Sequence, residues 1–198
     1  MQKAIKTLVV VSSLVFGAAQ AGVGVDYARK DKVDSTQENI VLGLSVSDKI
    51  GLGRDRDIVT ELRVESELVN GVTPKKHEGL VQFKGALDVY KINVVVPVTF
   101  YGAAAVGLKS KSDSSFNYYI AGVGAKTSVA GVGLDFASRL RSPFGEGTSG
   151  TGPMYRTVEN SVTASYAVAK EYTVGVKYGR ERGDSNYNTI GLSVKHTF

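Results

Sequence analysis

Apolar and polar residues alternate with a period of two along most of this chain. At the carboxyl end, Ile190, Leu192, Val194 and Phe198 are separated by small or polar residues. Such alternation places apolar side chains on one face of a strand, whereas a helix would need a period near 3.6. No helical period competes with it, so the sequence predicts an all-β chain. Similar segments occur at 23–27, 40–46, 81–89, 92–100, 132–140, 158–168 and 172–178.

The connections between these segments alternate in length. Such alternation is expected of an up-and-down antiparallel sheet whose two ends face different compartments. Counting strands between the connections gives ten, with both termini at the end that has the short turns. Eight strands is the alternative if the first half of the chain divides differently. Short connections are predicted at 47–49, 88–91, 128–131 and 169–171, and longer ones at 30–37, 68–77, 109–115, 142–154 and 181–186.

Residues 1–21 have three features of a cleaved secretory signal peptide. Two lysines in the first six residues are followed by an apolar segment at 8–17 and by Ala-Gln-Ala at 19–21, which is a small-x-small cleavage site. About ten apolar residues are too few to cross a bilayer core of roughly 30 Å as a helix. We therefore expect residues 1–21 to be removed, leaving residues 22–198 as one barrel domain.

Composition excludes several other classes of protein. The chain has no cysteine, which excludes disulfides and lipid attachment at a cysteine near the cleavage site. The formal net charge is +5, but no basic run stands out, so we expect no nucleic-acid partner. No segment after residue 21 has 18 unbroken apolar residues, so helices that span the inner membrane are not expected.

The end of the last strand resembles the assembly signal of bacterial outer-membrane β-barrels. Leu192, Val194 and Phe198 form the candidate signal on the face predicted to meet lipid, and His196 occupies a position where that signal has an aromatic residue. Together with the signal peptide and the connections, this makes the chain similar to small outer-membrane barrels of the OmpX/Ail and opacity type. The resemblance implies a transmembrane β-barrel in the outer membrane of a Gram-negative bacterium. Its implied partners are outer-membrane lipid, lipopolysaccharide and the barrel assembly machinery.

A soluble β-sandwich or lipocalin-like barrel would also show alternating strands, with its apolar face inside. Two features favour the membrane barrel. The polar faces are rich in glycine, which suits side chains that converge on a narrow axis. Aromatic residues are also predicted near both strand ends, as in interfacial girdles. They are Tyr27, Phe100 and Tyr178 at the outer end and Tyr166, Tyr172 and Phe198 at the periplasmic end.

Three segments do not fit this pattern simply. Residues 50–67 are too many for one strand. Arginines near the start of this segment share the parity of its apolar residues, and a lipid-facing arginine at mid-depth would cost about 2–4 kcal/mol. We therefore expect the crossing strand to begin near Ile58 and residues 48–57 to form a connection. Pro97 cannot donate a ladder hydrogen bond, so it is expected at a bulge or an irregular pairing. In residues 116–127 both faces are mixed, and the register is open.

The faces predicted to point inward carry equal numbers of positive and negative residues. A charge-selective pore usually needs an excess of one sign along its lining, so we predict a salt-bridged polar lumen that largely occludes the barrel. The predicted charge network consists of Glu61, Arg63, Lys84, Asp135, Arg139, Glu159 and Lys177. The full inward set is nine positive residues (Lys30, Arg63, Lys84, Lys91, Lys126, Arg139, Arg141, Lys177 and Lys195) and nine negative ones (Asp26, Asp55, Asp57, Glu61, Glu65, Asp88, Asp135, Glu159 and Glu181).

Little in the chain indicates catalysis. With two histidines and no cysteine, Cys/His metal clusters and cysteine nucleophiles are excluded, and no cofactor is expected. Some small outer-membrane barrels are lipid A-modifying enzymes with a Ser/His pair at the outer rim, and His77 with Ser66 or Ser112 is the candidate here. Nothing in the spacing singles out a triad, so we expect no enzyme activity.

Residues Arg182, Gly183 and Asp184 resemble an integrin-binding tripeptide and are expected at the tip of the last outer loop. A charged glycine turn explains the same residues, so they are only a possible surface contact. The sequence thus favours an outer-membrane barrel with a structural or surface-interaction role and a largely occluded lumen. A small porin-like channel for ions or solutes is the alternative, and a rim enzyme is the least favoured interpretation.

Overall fold

The computed structural model describes residues 21–33, 35–52, 56–71, 76–93, 95–110, 115–144, 156–183 and 186–198. All but one residue of the expected signal peptide lie outside these ranges. Among the described residues, no helix is long and apolar enough to cross a membrane. The regular elements within these ranges are ten strands: β1 (Gly22–Lys32), β2 (Glu38–Gly51), β3 (Asp57–Asn70), β4 (Lys76–Ile92), β5 (Val98–Ser110), β6 (Ser115–Val129), β7 (Val132–Pro143), β8 (Thr157–Ala167), β9 (Tyr172–Gly183) and β10 (Tyr187–Thr197).

The ten strands form one closed antiparallel barrel in which each strand pairs with its neighbours in sequence. The barrel closes where β1 pairs with β10, from Gly22 opposite Thr197 to Lys32 opposite Tyr187. The prediction of a ten-stranded up-and-down barrel is therefore confirmed, and the alternative of eight strands is wrong.

We call the end at which β1 begins and β10 ends the terminal end, and the opposite end the loop end. The strands extend further at the loop end than predicted. Of the connections there, only the one at 144–156 is long, and the others span three to five residues. The predicted alternation in length is therefore weaker than expected. Strand pairing continues beyond the apolar stretch because inward polar side chains bond to one another there, as described below.

The connection between β6 and β7 is a two-residue hairpin, as the predicted short link at 128–131 suggested. Ala130 and Gly131 both have positive φ, at 50° and 81°. Two consecutive residues with positive φ give the primed turn whose twist matches the right-handed twist of the flanking strands. Gly131 adopts this conformation without a steric penalty.

The predicted strand at 92–100 is wrong in its first half. β4 continues through the predicted link at 88–91 and ends at Ile92, and residues 93–97 form the connection to β5. Pro97 lies in this connection, where its missing N–H costs no ladder bond, and its carbonyl accepts a bond from Thr127 Oγ1 at 2.8 Å. The irregular pairing lies earlier, between Asp88 and Tyr90. Phe100 consequently lies near the terminal end, not at the outer end as predicted.

The crossing strand β3 begins at Asp57, next to the predicted start at Ile58. The rest of the predicted link at 48–57 is partly wrong, because β2 continues to Gly51 and only residues 52–56 connect the two strands. An ion pair of 2.7 Å between Lys49 Nζ and Asp57 Oδ2 holds this extension together. The sequence left the register of residues 116–127 open. In the structure these residues belong to β6, which pairs continuously with β5 and β7.

The two faces of the barrel differ as the alternation predicted. Outward positions carry exposed apolar side chains, for example Leu42, Val123 and Val176. Inward positions carry most of the charged side chains and many glycines. The apolar surface of this protein is therefore on its outside, and the polar surface is enclosed.

Candidate functional site in the barrel lumen

The inward faces of the strands surround a polar cavity of about 240 Å³. Its lining contains all seven residues predicted for the charge network. Six basic and six acidic residues are present, so the lining has no formal net charge. The basic residues are Lys30, Arg63, Lys84, Arg139, Arg141 and Lys177, and the acidic ones are Asp26, Glu61, Glu65, Asp135, Glu159 and Glu181.

Arg63 links β3 to β1 across the intervening strand β2. Its Nη1 lies 3.1 Å from Asp26 Oδ2, and its Nε lies 2.5 Å from Glu65 Oε1. Gly43 of β2 lies beneath this crossing. A Cβ at Gly43 would lie 3.1 Å from Arg63 Nη2 and 3.3 Å from an Asp26 oxygen. The missing side chain at Gly43 therefore provides the space in which the guanidinium reaches its partner.

Three further ion pairs connect strands around the cavity. Glu61 Oε2 lies 3.8 Å from Lys84 Nζ, and Glu159 is paired with Lys177. Arg141 of β7 reaches over β8 to Glu181 of β9, with 3.3 Å between Nη1 and Oε1. The network therefore joins neighbouring strands and also strands that share no backbone ladder.

Arg139 and Glu159, both predicted to belong to the charge network, do not form an ion pair with each other. The two residues are directly opposite in the register of β7 and β8, but the ion pair of Glu159 is with Lys177. Among the described residues, no carboxylate lies within 4.0 Å of the Arg139 guanidinium. The Nε atoms of Arg139 and Arg141 are both buried without a hydrogen-bond partner in the described part of the chain. Both side chains line the cavity.

A second cluster of charged and polar side chains lies at the loop end of the lumen. Lys109 Nζ lies 3.0 Å from Glu67 Oε2 and 2.7 Å from Glu78 Oε2. Asn39 Nδ2 donates a 2.7 Å bond to Glu67 Oε1, and Lys30 Nζ lies 3.9 Å from the same oxygen. This cluster was not predicted, because Lys109 and Glu78 were expected in or beside loops and Glu67 was not among the expected inward residues. Glu67 shares the parity of Glu61 and Glu65, which was the available signal.

Two tyrosines also point inward, although no inward tyrosine was predicted. Tyr101 donates a 2.7 Å hydrogen bond to Asp135 Oδ1, and Tyr118 donates a 3.1 Å bond to Gln82 Oε1. Each ring lies over a glycine of the neighbouring strand. Tyr101 is opposite Gly124, and Tyr118 is opposite Gly107. A Cβ at Gly124 would lie 2.3 Å from Tyr101 Cζ, and one at Gly107 would lie 2.5 Å from Tyr118 Cζ. The glycines thus give the rings room inside the barrel.

The remaining inward charges lie towards the terminal end. Lys126 Nζ lies 2.6 Å and 2.8 Å from the two carboxylate oxygens of Asp88, so a pair predicted only as separate inward charges is joined across β5. Lys91 and Lys195 are exposed and do not line the cavity. Asp55 lies outside the described residues.

The candidate assembly signal lies on the outer face of β10. Leu192, Val194 and Phe198 point outward and are exposed. The Phe198 N–H donates a 3.0 Å bond to the carbonyl of Ala21. His196 lies between two aromatic rings at the terminal end, with ring centroids 4.7 Å from Tyr172 and 4.6 Å from Phe198. His196 therefore makes the ring contacts that an aromatic residue would make at this position.

We expect replacement of His196 by phenylalanine to preserve the stability of the barrel and replacement by alanine to reduce it. Alanine removes two ring contacts, each worth about 0.5–1.5 kcal/mol. The measurement is urea-induced unfolding of the barrel in detergent, followed by heat-modifiable migration on gels. Thr197→Ala, which removes no ring, is the matched control. A His196→Ala protein as stable as the unmodified one would show that the ring contacts contribute nothing.

The other predicted surface and rim residues are distributed over several strands. Arg182 and Gly183 lie within β9, opposite Val158 and Thr157, so their placement at a loop tip was wrong. The strand extends further than the apolar pattern suggested. Asp184 lies outside the described residues, so the tripeptide as a surface contact stays a prediction.

For the candidate Ser/His pair at the outer rim, the structure gives only the strand positions of two of the three residues. The backbone of His77 lies on β4 opposite Leu68, and Ser66 lies opposite Gly79, while Ser112 is outside the described residues. Within the described ranges, no group of three or more His, Asp or Glu residues could hold a metal ion.

No protein-family model matches the sequence, and no curated protein matches it. Solved structures with a similar barrel include the translocator domain of the autotransporter NalP from Neisseria meningitidis, at 9% identity and a TM-score of 0.48, covering 100% of this chain and 95% of that one. The KdgM porin in complex with disordered oligogalacturonate is 12% identical, with a TM-score of 0.46 and coverage of 88% and 99%. Neisserial surface protein A is 13% identical, with a TM-score of 0.41 and coverage of 92% and 100%. At these identities the likeness is confined to barrel architecture.

The distribution of side chains in this chain identifies its surroundings. Because β1 pairs with β10, the sheet has no free edge, and every strand completes its ladder within the barrel. In water, the apolar outer face would be exposed to solvent. In a bilayer, backbone groups find no water to bond to, so a sheet that spans it needs a closed ladder of hydrogen bonds and an apolar exterior. Closed antiparallel barrels with an even strand number, an apolar exterior and a polar interior are the form that bacterial outer-membrane proteins take. The chain therefore has the fold and the side-chain distribution of a transmembrane β-barrel.

Proposed function

We propose that this protein is a closed outer-membrane barrel that does not conduct, and that it has a structural or surface-interaction role. The observation that supports this function is the balanced lining of the lumen, with six basic and six acidic residues around a cavity of about 240 Å³. Cross-strand ion pairs and hydrogen bonds connect many of these residues, and further pairs extend towards both ends.

A selective pore would require a different lining. Ion selectivity usually comes from rings of charge of one sign, and here the two signs cancel. Ten strands also enclose a narrow interior that side chains can fill, unlike the 16–18-stranded porins. In this barrel, Tyr101 and Tyr118 occupy part of the interior and are almost completely buried. The geometry therefore favours occlusion.

The membrane orientation and partners follow from this proposal. The loop end faces the outside of the cell, and the terminal end faces the periplasm. Lipopolysaccharide and phospholipid contact the apolar outer face. The barrel assembly machinery recognises the last strand through Leu192, Val194 and Phe198. The surface role belongs to the connections at the loop end, where residues 144–156 form the longest one.

Planar bilayer recording tests the proposed occlusion. We expect the purified protein to show no stable conductance steps. A variant carrying Arg63→Ser, Arg139→Ser and Arg141→Ser removes three large side chains from the cavity lining and should show steps. Arg29→Ser, which truncates an arginine on the outer face, is the matched control and should stay silent. Heat-modifiable migration establishes that each variant is folded.

A channel for ions or small solutes is the second candidate, and the polar cavity itself is the observation that favours it. Stable steps with clear ion selectivity from the unmodified protein would replace the occluded interpretation with this one. Silence of both the unmodified protein and the folded triple variant would show that the arginines are not what closes the lumen.

A further inference from the structure

The outward-facing side chains of β9 change from apolar to basic towards the loop end. Its outward residues are apolar or aromatic up to Tyr178, and Arg180 and Arg182 follow on the same face. Tyrosine is enriched where the hydrocarbon ends and the headgroups begin. The two arginines therefore lie at the level of lipid headgroups at the loop end. Both are exposed.

These two arginines differ from another outward arginine at the same end. Arg29 Nε lies 2.9 Å from Asp31 Oδ1 and 3.3 Å from Glu38 Oε1, so its charge is neutralised by the protein. Arg180 has amides as its cross-strand neighbours, Asn160 and Asn188. Among the described residues, no carboxylate lies within 4.0 Å of Arg180 or Arg182. Counting the described residues alone, a charge of about +2 on the lipid side is available to an anion.

A groove of about 830 Å³ leads away from Arg180 along the outer face. Its floor follows consecutive cross-strand neighbours from Arg180 through Asn160, Ser138 and Val123 to Gly102. Gly102 has no heavy atom within 4 Å of where its Cβ would be, so this end of the groove is open. The path crosses four strand spacings of about 4.8 Å each, or roughly 19 Å.

The groove leads from the loop end towards the terminal end, because Arg180 lies near the end of β9 whereas Gly102 lies near the start of β5. Strands of such barrels tilt by about 35–45° from the membrane normal, so a path perpendicular to the strands is itself oblique. Phe136, Val162 and Tyr178 form one side of the groove. Leu140 and Val158 belong to an adjoining groove that shares Gly102, Val123 and Ser138 with the first. An acyl chain therefore has apolar walls along this path.

Two polar side chains lie in the floor of the groove. Ser138 is flanked by outward Phe136 and Leu140, and Asn160 by outward Val158 and Val162. Neither side chain has a hydrogen-bond partner among the described residues. In hydrocarbon, a polar group without a partner is costly. An ester, amide or hydroxyl group near the head of a lipid would supply the missing partners.

We propose that this groove binds a phosphorylated acyl lipid, with a phosphomonoester on Arg180 and Arg182 and an acyl chain along the groove towards Gly102. A phosphomonoester carries about −1.5 to −2 charges at pH 7, which matches two arginines without a described carboxylate partner better than the single charge of a phosphodiester. Arginine also binds phosphate oxygens in a bidentate manner. Because the loop end faces the outside of the cell in the proposed orientation, the occupant is lipid A of lipopolysaccharide. The inference rests on the membrane location of the barrel and not on whether its lumen conducts.

Native mass spectrometry of the folded protein in detergent tests this site. The probe is purified lipid A carrying both phosphates, compared with dephosphorylated lipid A, phosphatidylglycerol and inorganic phosphate. We expect one lipid A to bind at least tenfold more tightly than dephosphorylated lipid A or phosphatidylglycerol. Arg180→Gln with Arg182→Gln should weaken lipid A binding at least tenfold, whereas Arg29→Gln should leave it unchanged. Bilayer recording is independent of these measurements, so either proposal can fail alone.

The groove is tested separately from the arginines. Gly102→Leu, or Ser138→Leu if the first variant does not fold, should weaken lipid A binding about fivefold without altering the binding of inorganic phosphate. The proposal is overturned if phosphatidylglycerol binds as tightly as lipid A, or if the double arginine variant binds normally. It also fails if Arg29→Gln causes the same loss, since the effect would then be general surface charge, or if neither leucine variant changes binding.

Discussion

Replacing Gly124 with valine should prevent the barrel from reaching its native stability. The new Cβ would lie 2.3 Å from Tyr101 Cζ, and the ring cannot move aside without losing its bond to Asp135. Overpacking costs about 1–3 kcal/mol, and leaving the partner of a buried hydrogen bond unsatisfied costs about 1–3 kcal/mol more. We expect a combined loss of about 3–5 kcal/mol in the free energy of unfolding, measured by urea titration and heat-modifiable migration.

Two further variants show whether the ring contact is the cause. Gly85→Val adds the same side chain on the outer face, where nothing lies within 4 Å of the new Cβ, and it should change stability little. Combining Gly124→Val with Tyr101→Ala should recover much of the loss, because the two positions are directly opposite and their effects are coupled. If Gly85→Val is as damaging as Gly124→Val, strand glycines matter for backbone reasons and not for the tyrosine.

Replacing Arg63 with alanine should cause the second large loss of stability. The substitution leaves Asp26 and Glu65 without the guanidinium that contacts both. Removing one partner of a fully buried ion pair costs about 3–5 kcal/mol, and the Arg63 side chain is 27% exposed. Because the lumen is polar and this side chain keeps some exposure, we expect a loss of about 2–3 kcal/mol in urea unfolding.

Matched variants distinguish the effect of leaving carboxylates unpaired from the effect of removing a large side chain. Arg29→Ala removes only an exposed ion pair, which salt and solvent screen, and should change the stability little. Arg139→Ala should cost less than Arg63→Ala, because no described carboxylate lies within ion-pair distance of Arg139. Adding Asp26→Asn to Arg63→Ala removes one of the orphaned charges and should restore part of the stability. Equal losses in Arg63→Ala and Arg139→Ala would contradict this account.

The period of two was sufficient to predict the barrel and most of the inward face. Each of the seven residues predicted for the charge network lines the cavity, because in a strand the parity of a residue determines its face. Parity gives no information on how far a side chain reaches. The sequence therefore did not reveal that Arg63 reaches Asp26 across Gly43, or that Lys177 and not Arg139 pairs with Glu159.

Strand ends were predicted less well than strand faces. Apolar residues were used to place the ends, but β3 and β5 continue through inward polar residues such as Glu67 and Lys109, which stabilise each other. The inward tyrosines were missed for a related reason. Aromatic residues were expected at the lipid interface, and only the glycine opposite each tyrosine in the neighbouring strand indicates an inward ring. Recognising that a glycine lies opposite a tyrosine requires the register between two strands, which cannot be predicted from either strand alone.

The seam between β1 and β10 has a consequence for how this protein is made. Gly22 pairs with Thr197 across almost the whole chain, so the last ladder forms between the segments that leave the ribosome furthest apart in time. Folding slows as contacts become more distant in sequence, and any partly formed sheet has two unpaired edges that can join other chains. We therefore expect the exported chain to require a holding chaperone until β10 arrives. A chain that ends before β10 should aggregate or be degraded instead of forming a smaller barrel.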